Sequence, residues 1–166
     1  MSSSRILLKY WLPVGLWMLL IFSASSDLMS APRTSRILGP LLRWLVPGIG
    51  DETVRAMQFA VRKSGHALEY AVLAWLLWRA RRQPVPRDPR AWSWADARWA
   101  VLVAALYAAT DEFHQAFVPS RDASVVDVLL DTAGASLGVL WLWALACWRQ
   151  RGERGVQRLP KPRSSI

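Results

Sequence analysis

The feature that most constrains this chain is a set of four apolar blocks, which lie at residues 10–25, 59–78, 99–118 and 125–148. A helix needs about 20 mostly apolar residues to cross the hydrocarbon core of a bilayer, and each block is close to that length. Many of the 11 tryptophans flank the blocks, where an amphipathic ring suits the membrane–water interface. The sequence therefore predicts an all-α integral membrane protein, folded as a bundle of four transmembrane helices.

The basic residues lie mostly in the segments between these blocks. The net charge is +9, from 21 Lys and Arg against 12 Asp and Glu. A basic chain can bind nucleic acid, but the sequence contains no nucleic-acid-binding motif. Membrane topology and anionic lipid headgroups explain the charge better, so we expect membrane lipids as partners and no nucleic acid. The single cysteine, Cys147, excludes an internal disulfide.

The distribution of basic residues predicts the orientation of the helices. Fourteen of the 21 fall at the N-terminus, between the second and third blocks, and after Trp148, whereas seven fall in the first and third connections and the first turn of the second block. Cytoplasmic segments carry the excess of Lys and Arg, so both termini are predicted to be cytoplasmic. Arg5 and Lys9 could instead begin a signal peptide, but the other blocks already require membrane residence. We therefore expect an uncleaved first helix.

Two segments outside the blocks have a distinct composition. Residues 35–46 mix leucine, isoleucine and tryptophan with two arginines, which is typical of a short interfacial helix in the first outer loop, although Pro40 weakens that interpretation. Residues 149–166 are rich in basic residues. They predict a disordered cytoplasmic tail that follows a transmembrane domain of residues 1–148.

Three of the blocks carry ionisable groups at the end that this topology places outside. Charges at that depth are costly in lipid and should face the bundle interior, where they can neutralise one another. Helical spacing aligns several of them, since Lys63, His66 and Tyr70 are three and four residues apart. The sequence thus predicts one polar layer in the outer leaflet, with the candidate site residues Lys63, His66, Tyr70, Asp111, Glu112, Gln115, Arg121, Asp127 and Asp131.

Asp127 and Asp131 share a helix face with Gly134 and Gly138. These glycines form a G-x-x-x-G motif, which lets another helix backbone approach closely. We expect the motif to hold the fourth block against the second and third. Ser124 and Asp127 also fit a capping box, so Asp127 has a structural interpretation beside a functional one.

Several candidates allow a chemical role and a structural one. His66 suits a general acid or base, or a neutral hydrogen-bonding partner of Asp111 or Glu112. The carboxylates of the layer could bind a divalent cation, but Lys63 and Arg121 already supply counter-charge, so no metal is predicted. The same two cations suit an anionic headgroup or phosphate. Because Glu112 follows Asp111 directly, the two cannot share a helix face.

Three stretches resemble the VanZ-like family of bacterial membrane proteins, named for an accessory protein of teicoplanin resistance. They are IFSASS at 21–26, KSGHALEYAVLAWLL at 63–77 and DEFHQAFVPSRDASVVDVLLDTAGASLG at 111–138. The family pattern falls on Gly134 and on every residue of the polar layer except Asp131, which stands where asparagine is usual. Ser120 stands where glycine is typical. The resemblance implies an uncleaved first helix and a protein of the bacterial cytoplasmic membrane and cell envelope.

Two functions from different classes follow from the polar layer and the resemblance. The first is a binding protein without a cofactor, which holds an anionic lipid-linked cell-wall precursor or surface component and alters teicoplanin susceptibility. The second is an intramembrane enzyme acting on a lipid-linked phosphate, with His66 or His114 as base and the carboxylates as orienting groups. A conservative change such as Asp111→Asn distinguishes them, since an enzyme loses nearly all activity and a binder loses it gradually.

Overall fold

The computed structural model describes residues 3–25, 31–84, 92–118 and 123–157, which form five helices. Helix α1 consists of the α-helical segments Ser3–Ile6 and Leu12–Ser25 with the π-helical turn Leu7–Trp11 between them. The other helices are α2 (Ala31–Leu45), α3 (Asp51–Arg82), α4 (Trp94–Gln115) and α5 (Val125–Gln157). The described ranges contain no strand, so the predicted all-α class is confirmed.

The four predicted blocks lie in α1, α3, α4 and α5, but most of the helix ends differ from the hydropathy boundaries. α3 begins at Asp51 rather than Phe59, because an acidic first turn suits the helix dipole even where the residues are polar. α4 ends at Gln115, short of the predicted Val118. α5 continues through residues 149–157, the first part of the segment predicted as a tail.

Two helices are long and apolar enough to cross a membrane, over the segments Ser4–Ser25 and Val125–Arg151. α3 and α4 are also long enough, at about 1.5 Å per residue, but they carry more charged residues. The four-span bundle and the cytoplasmic termini therefore stay predictions. Large apolar side chains cover the outside of the described helices, and Leu16, Leu106 and Trp141 are each more than half exposed. An apolar exterior is typical of a lipid-facing surface.

A proline explains the irregular turn of α1. Pro13 has no N–H, so the carbonyl of Lys9, four residues earlier, loses its usual helical donor. The preceding turn widens into a π-helix, in which the Leu12 N–H donates to the Leu7 carbonyl. Arg79 of α3 donates to the Lys9 carbonyl at 3.1 Å. The acceptor that proline releases thus ties α1 to α3.

The first connection forms the helix that its composition predicts. Pro40 lies inside α2 without ending it. Ile37 and Trp44 are each about three-quarters exposed, while Arg43 donates to the Asp51 carboxylate at 2.6 Å and links α2 to α3. The position of α2 on the membrane surface stays a prediction.

α3 and α5 make the most extensive helix–helix contact, through the predicted G-x-x-x-G motif. A Cβ added to Gly134 would lie 2.8 Å from the carbonyl carbon of Ala67, and one added to Gly138 would lie 2.9 Å from the Cα of Ala71. Real Cβ atoms essentially never make contacts this short. The prediction that the motif holds the fourth block against the second is confirmed. Because Gly134 lies against Ala67 and Gly138 lies against Ala71, α3 and α5 run in the same direction.

The other helix directions follow from contacts at both ends of α1 and α4. Trp11 packs edge-on against Trp99 near the start of both helices, with ring centroids 6.4 Å apart. At their other ends, Ser25 hydrogen-bonds Asp111, so α1 and α4 are parallel. The Arg79 bond joins the end of α3 to the start of α1, and those helices are therefore antiparallel. One end of the bundle, called the polar end, holds the ends of α1 and α4 and the start of α5.

At the opposite end, α3 and α4 are joined by a charged corner. Ser93 caps α4, and its hydroxyl accepts a hydrogen bond from the Asp96 N–H at 3.2 Å. The Asp96 carboxylate accepts from Arg81 Nε at 2.7 Å and lies 3.8 Å from the Arg82 guanidinium. The hydrogen bond from Arg81 lowers the pKa of Asp96 below its ordinary value. This corner is therefore ionised at neutral pH.

Candidate functional site

Four helices bring polar side chains together at the polar end of the bundle. α1 contributes its last residue, α3 a stripe from its central turns, α4 its last two turns, and α5 its first two turns and the residue before them. Several of these side chains are buried despite their polarity. The group is called the polar cluster and consists of Ser25, Lys63, His66, Glu69, Tyr70, Asp111, Glu112, Gln115, Ser124, Asp127 and Asp131.

Asp111 is the carboxylate that joins α1 to α4. Its Oδ2 accepts a hydrogen bond from Ser25 Oγ at 2.6 Å and another from Gln115 Nε2 at 3.1 Å. The Gln115 bond spans one helical turn, as the four-residue spacing predicts. Asp111 is 3% exposed, and its Oδ1 has no hydrogen-bond partner in the described residues. Sequence reasoning missed Ser25, although the IFSASS stretch that resembles the family contains it.

Glu112 points to a different neighbour, as its place beside Asp111 predicts. Its Oε2 accepts a hydrogen bond from the backbone N–H of Ser124 at 2.9 Å. Ser124 in turn caps α5, since its Oγ accepts from the Val126 N–H at 3.2 Å. The serine half of the predicted capping box is therefore present. The other half is supplied by Glu112 from a neighbouring helix, not by Asp127.

Asp127 pairs instead with Lys63, whose Nζ donates to its Oδ1 and so links α3 to α5. Both side chains are only partly exposed, at 28% for Lys63 and 19% for Asp127. The pair therefore lies at the rim of the polar cluster, where a molecule from outside can reach the lysine. The capping role predicted for Asp127 is wrong, because Glu112 already occupies the Ser124 N–H.

Tyr70 and Asp131 lie deepest in the polar cluster. Tyr70 is fully buried and Asp131 is 1% exposed. The Tyr70 hydroxyl and the Asp131 Oδ1 have no hydrogen-bond partner among the described residues. The Tyr70 ring lies 6.3 Å from the ring of Tyr107. These groups meet from α3, α4 and α5.

The two histidines occupy different surroundings. His66 Nδ1 lies 4.0 Å from Glu69 Oε2, one turn along α3. Its predicted hydrogen bond to Asp111 or Glu112 stays a prediction. The ring of His114 packs against Phe22, with centroids 4.4 Å apart. Its Nδ1 is buried and has no hydrogen-bond partner in the described part of the chain. Arg121, a further site candidate, lies outside the described residues.

The polar cluster carries an excess of negative charge. Among the described residues it contains five carboxyl side chains and one lysine, and that lysine is already paired with Asp127. Several carboxylates close together in an apolar surrounding are costly unless protons or positive groups accompany them. Within the described ranges, no group of three or more His, Cys, Asp or Glu side chains is arranged to hold a metal ion. The arrangement can therefore bind a positively charged group that donates hydrogen bonds.

Comparison with known families accounts for this arrangement of residues. The model of the VanZ/LLP1 family matches residues 10–146, a range that contains the whole polar cluster and the G-x-x-x-G motif. The chain belongs to the VanZ/LLP1 family. No curated protein and no solved structure matches it significantly. The family resemblance inferred from the three sequence stretches is therefore confirmed.

Proposed function

We propose that this VanZ/LLP1 family member crosses the bacterial cytoplasmic membrane four times, through α1, α3, α4 and α5. The alternating helix directions support this, because each of the four helices starts at the end where the previous one stops. The excess of basic residues lies at the end opposite the polar cluster, which the positive-inside rule assigns to the cytoplasm. Both termini are then cytoplasmic, and the polar cluster opens outward.

The polar cluster binds a membrane-linked or surface component of the cell envelope and thereby alters susceptibility to teicoplanin. One observation carries this proposal: buried polar groups from four helices converge at one end, and three of their oxygen atoms have no partner in the described residues. Buried polar groups are normally paired, so such atoms mark a place that a ligand can occupy. Lys63 at the rim, together with Arg121 in the connection between α4 and α5, suits the phosphate of a lipid-linked component.

A complementation assay tests this proposal in a strain that lacks the protein. Teicoplanin susceptibility and membrane level are measured for the wild type, His66→Ala and Asp111→Asn. The matched control is Asp51→Asn, because Asp51 is an exposed carboxylate outside the polar cluster. We expect both cluster variants to accumulate while susceptibility shifts toward that of the deletion strain, and the control to behave as wild type. Normal susceptibility in both cluster variants would contradict the proposal.

The same assay separates binding from catalysis. A graded loss of complementation across the two cluster variants supports a binding protein, whereas complete loss in Asp111→Asn, with its membrane level unchanged, supports the intramembrane enzyme.

Topology is tested with single cysteines placed at Ala123 and Ser4 in a Cys147→Ser background. A membrane-impermeant thiol reagent should label the cysteine at 123 in intact cells and the cysteine at 4 only after permeabilisation. The reverse pattern would contradict the outward position.

A further inference from the structure

Three buried oxygen atoms of the polar cluster lack a hydrogen-bond partner in the described residues: Tyr70 Oη, Asp111 Oδ1 and Asp131 Oδ1. They come from three helices, and each of the residues is at most 3% exposed. Leaving a buried polar atom without a partner costs about 1–3 kcal/mol, so three such atoms together are unfavourable in the protein alone. A ligand that satisfies all three at once would remove that cost.

The chemistry of these atoms restricts what the ligand can be. An ionised carboxylate only accepts hydrogen bonds, whereas a phenol hydroxyl both accepts and donates. The other carboxyl groups of the polar cluster around Asp131 are those of Glu69, Asp111, Glu112 and Asp127. An anionic group at this position would be repelled. An occupant that donates hydrogen bonds and carries positive charge fits this position best.

The protein does not supply that charge within the described residues. Lys63 lies at the rim, where it pairs with Asp127, while Ser25 and Gln115 are neutral donors that both serve the other oxygen of Asp111. A primary ammonium group meets the remaining requirement. It is compact, carries one positive charge and has three N–H donors, which equals the number of unpartnered oxygens.

We propose that the polar cluster binds a primary ammonium group between Asp111, Asp131 and Tyr70. This inference rests on the proposed ligand-binding function and names part of the ligand. A phosphate at Lys63 on the rim and an ammonium group deeper in the cluster together describe a phosphate-and-amine headgroup, as in an ethanolamine phospholipid. A soluble molecule with the same two groups has the same chemistry.

Thermal unfolding of the full chain in lipid nanodiscs tests the proposal. Discs of phosphatidylglycerol alone receive ethylammonium chloride, tetramethylammonium chloride or sodium chloride at equal concentration. Tetramethylammonium has the same charge but no N–H donor, so it isolates the hydrogen-bonding requirement. We expect a saturable rise in the unfolding temperature with ethylammonium only. Equal responses to the three salts, or no response to any, would overturn the proposal.

Variants assign the effect to the three oxygens. Asp131→Asn removes the charge and should weaken ethylammonium binding at least tenfold. Tyr70→Phe keeps the packing and removes only the unpartnered hydroxyl, so it should fold as well as wild type while binding more weakly. Asp51→Asn is the control and should bind normally. Unchanged ethylammonium binding in a folded Tyr70→Phe and Asp131→Asn would overturn the assignment.

Two further arms identify the source of the amine. Phosphatidylethanolamine in the discs should compete with ethylammonium if the ligand is a lipid headgroup. Only added O-phosphoethanolamine should compete if the ligand is soluble. Competition by neither molecule would overturn the proposal of a combined phosphate-and-amine headgroup.

The result for the amine site is separable from the proposed function. If cluster variants accumulate but fail to complement while ethylammonium does not bind, the site works on another chemistry. If ethylammonium binds and the variants complement fully, the amine site stands and the role in susceptibility does not.

Discussion

The close contact between α3 and α5 makes a quantitative prediction for Gly134→Ala. The new Cβ would lie 2.7 Å from the Cα and 2.8 Å from the carbonyl carbon of Ala67, where ordinary contact begins at 3.4 Å. Backbone atoms cannot rotate away, so the helices must separate by roughly half an ångström or more. Overpacking of this kind costs about 1–3 kcal/mol. Alanine also favours a helix over glycine by about 1 kcal/mol, which partly hides the cost.

Gly65→Ala provides the matched control, because nothing lies within 4 Å of a Cβ added there and Gly65 is in the same helix pair. The helix-propensity gain is common to both variants and cancels in their difference. Unfolding in mixed detergent micelles should therefore show Gly134→Ala less stable than Gly65→Ala by about 1–3 kcal/mol. A difference below about 0.5 kcal/mol would refute the close packing of α3 against α5.

Two further predictions concern hydrogen bonds at opposite ends of the bundle. Ser25→Ala removes a buried donor from Asp111 and should lower the free energy of unfolding by about 1–3 kcal/mol. The control Ser136→Ala removes a bond to the Thr132 carbonyl of its own helix and should change the free energy of unfolding by less than about 0.5 kcal/mol. Equal effects in micelle unfolding would contradict the Ser25 bond. The lowered pKa of Asp96 means that its bond to Arg81 stabilises the fold above the ordinary pKa of 3.8 and is lost as the pH falls below it. The wild type should therefore exceed Asp96→Asn in stability by up to about 1 kcal/mol at pH 6, and the gap should close by pH 2.5; a constant gap would contradict the ion pair.

Several features of the fold are readable from residue spacing. Gly134 and Gly138 lie four apart on an apolar helix, and two glycines on one face are typical of a closely approaching backbone, which the structure shows. Asp111 and Gln115 are also four apart, and the structure joins them by a hydrogen bond. Charges in an apolar block must find partners from other helices, so the convergence of the polar residues follows from the cost of burying them.

Other features depend on three-dimensional neighbours that spacing cannot supply. Ser124 and Asp127 have the spacing of a capping box, but Glu112 reaches the Ser124 N–H first because α4 ends beside the start of α5. Ser25 is a small polar residue at the end of a helix, and nothing local indicates that Asp111 lies 2.6 Å away. Hydropathy boundaries also stop where polarity begins, so they cannot show that α5 continues to Gln157.

The central claim is that the polar cluster acts on a ligand and is more than helix packing. Lys63→Met alone leaves the Asp127 carboxylate without its cation and should reduce the membrane level. Lys63→Met combined with Asp127→Asn removes both charges, so the level should recover. The decisive measurement is teicoplanin susceptibility of a deletion strain that expresses this double variant. We predict a normal membrane level with susceptibility close to that of the deletion strain. A normal membrane level together with wild-type teicoplanin susceptibility would contradict the claim.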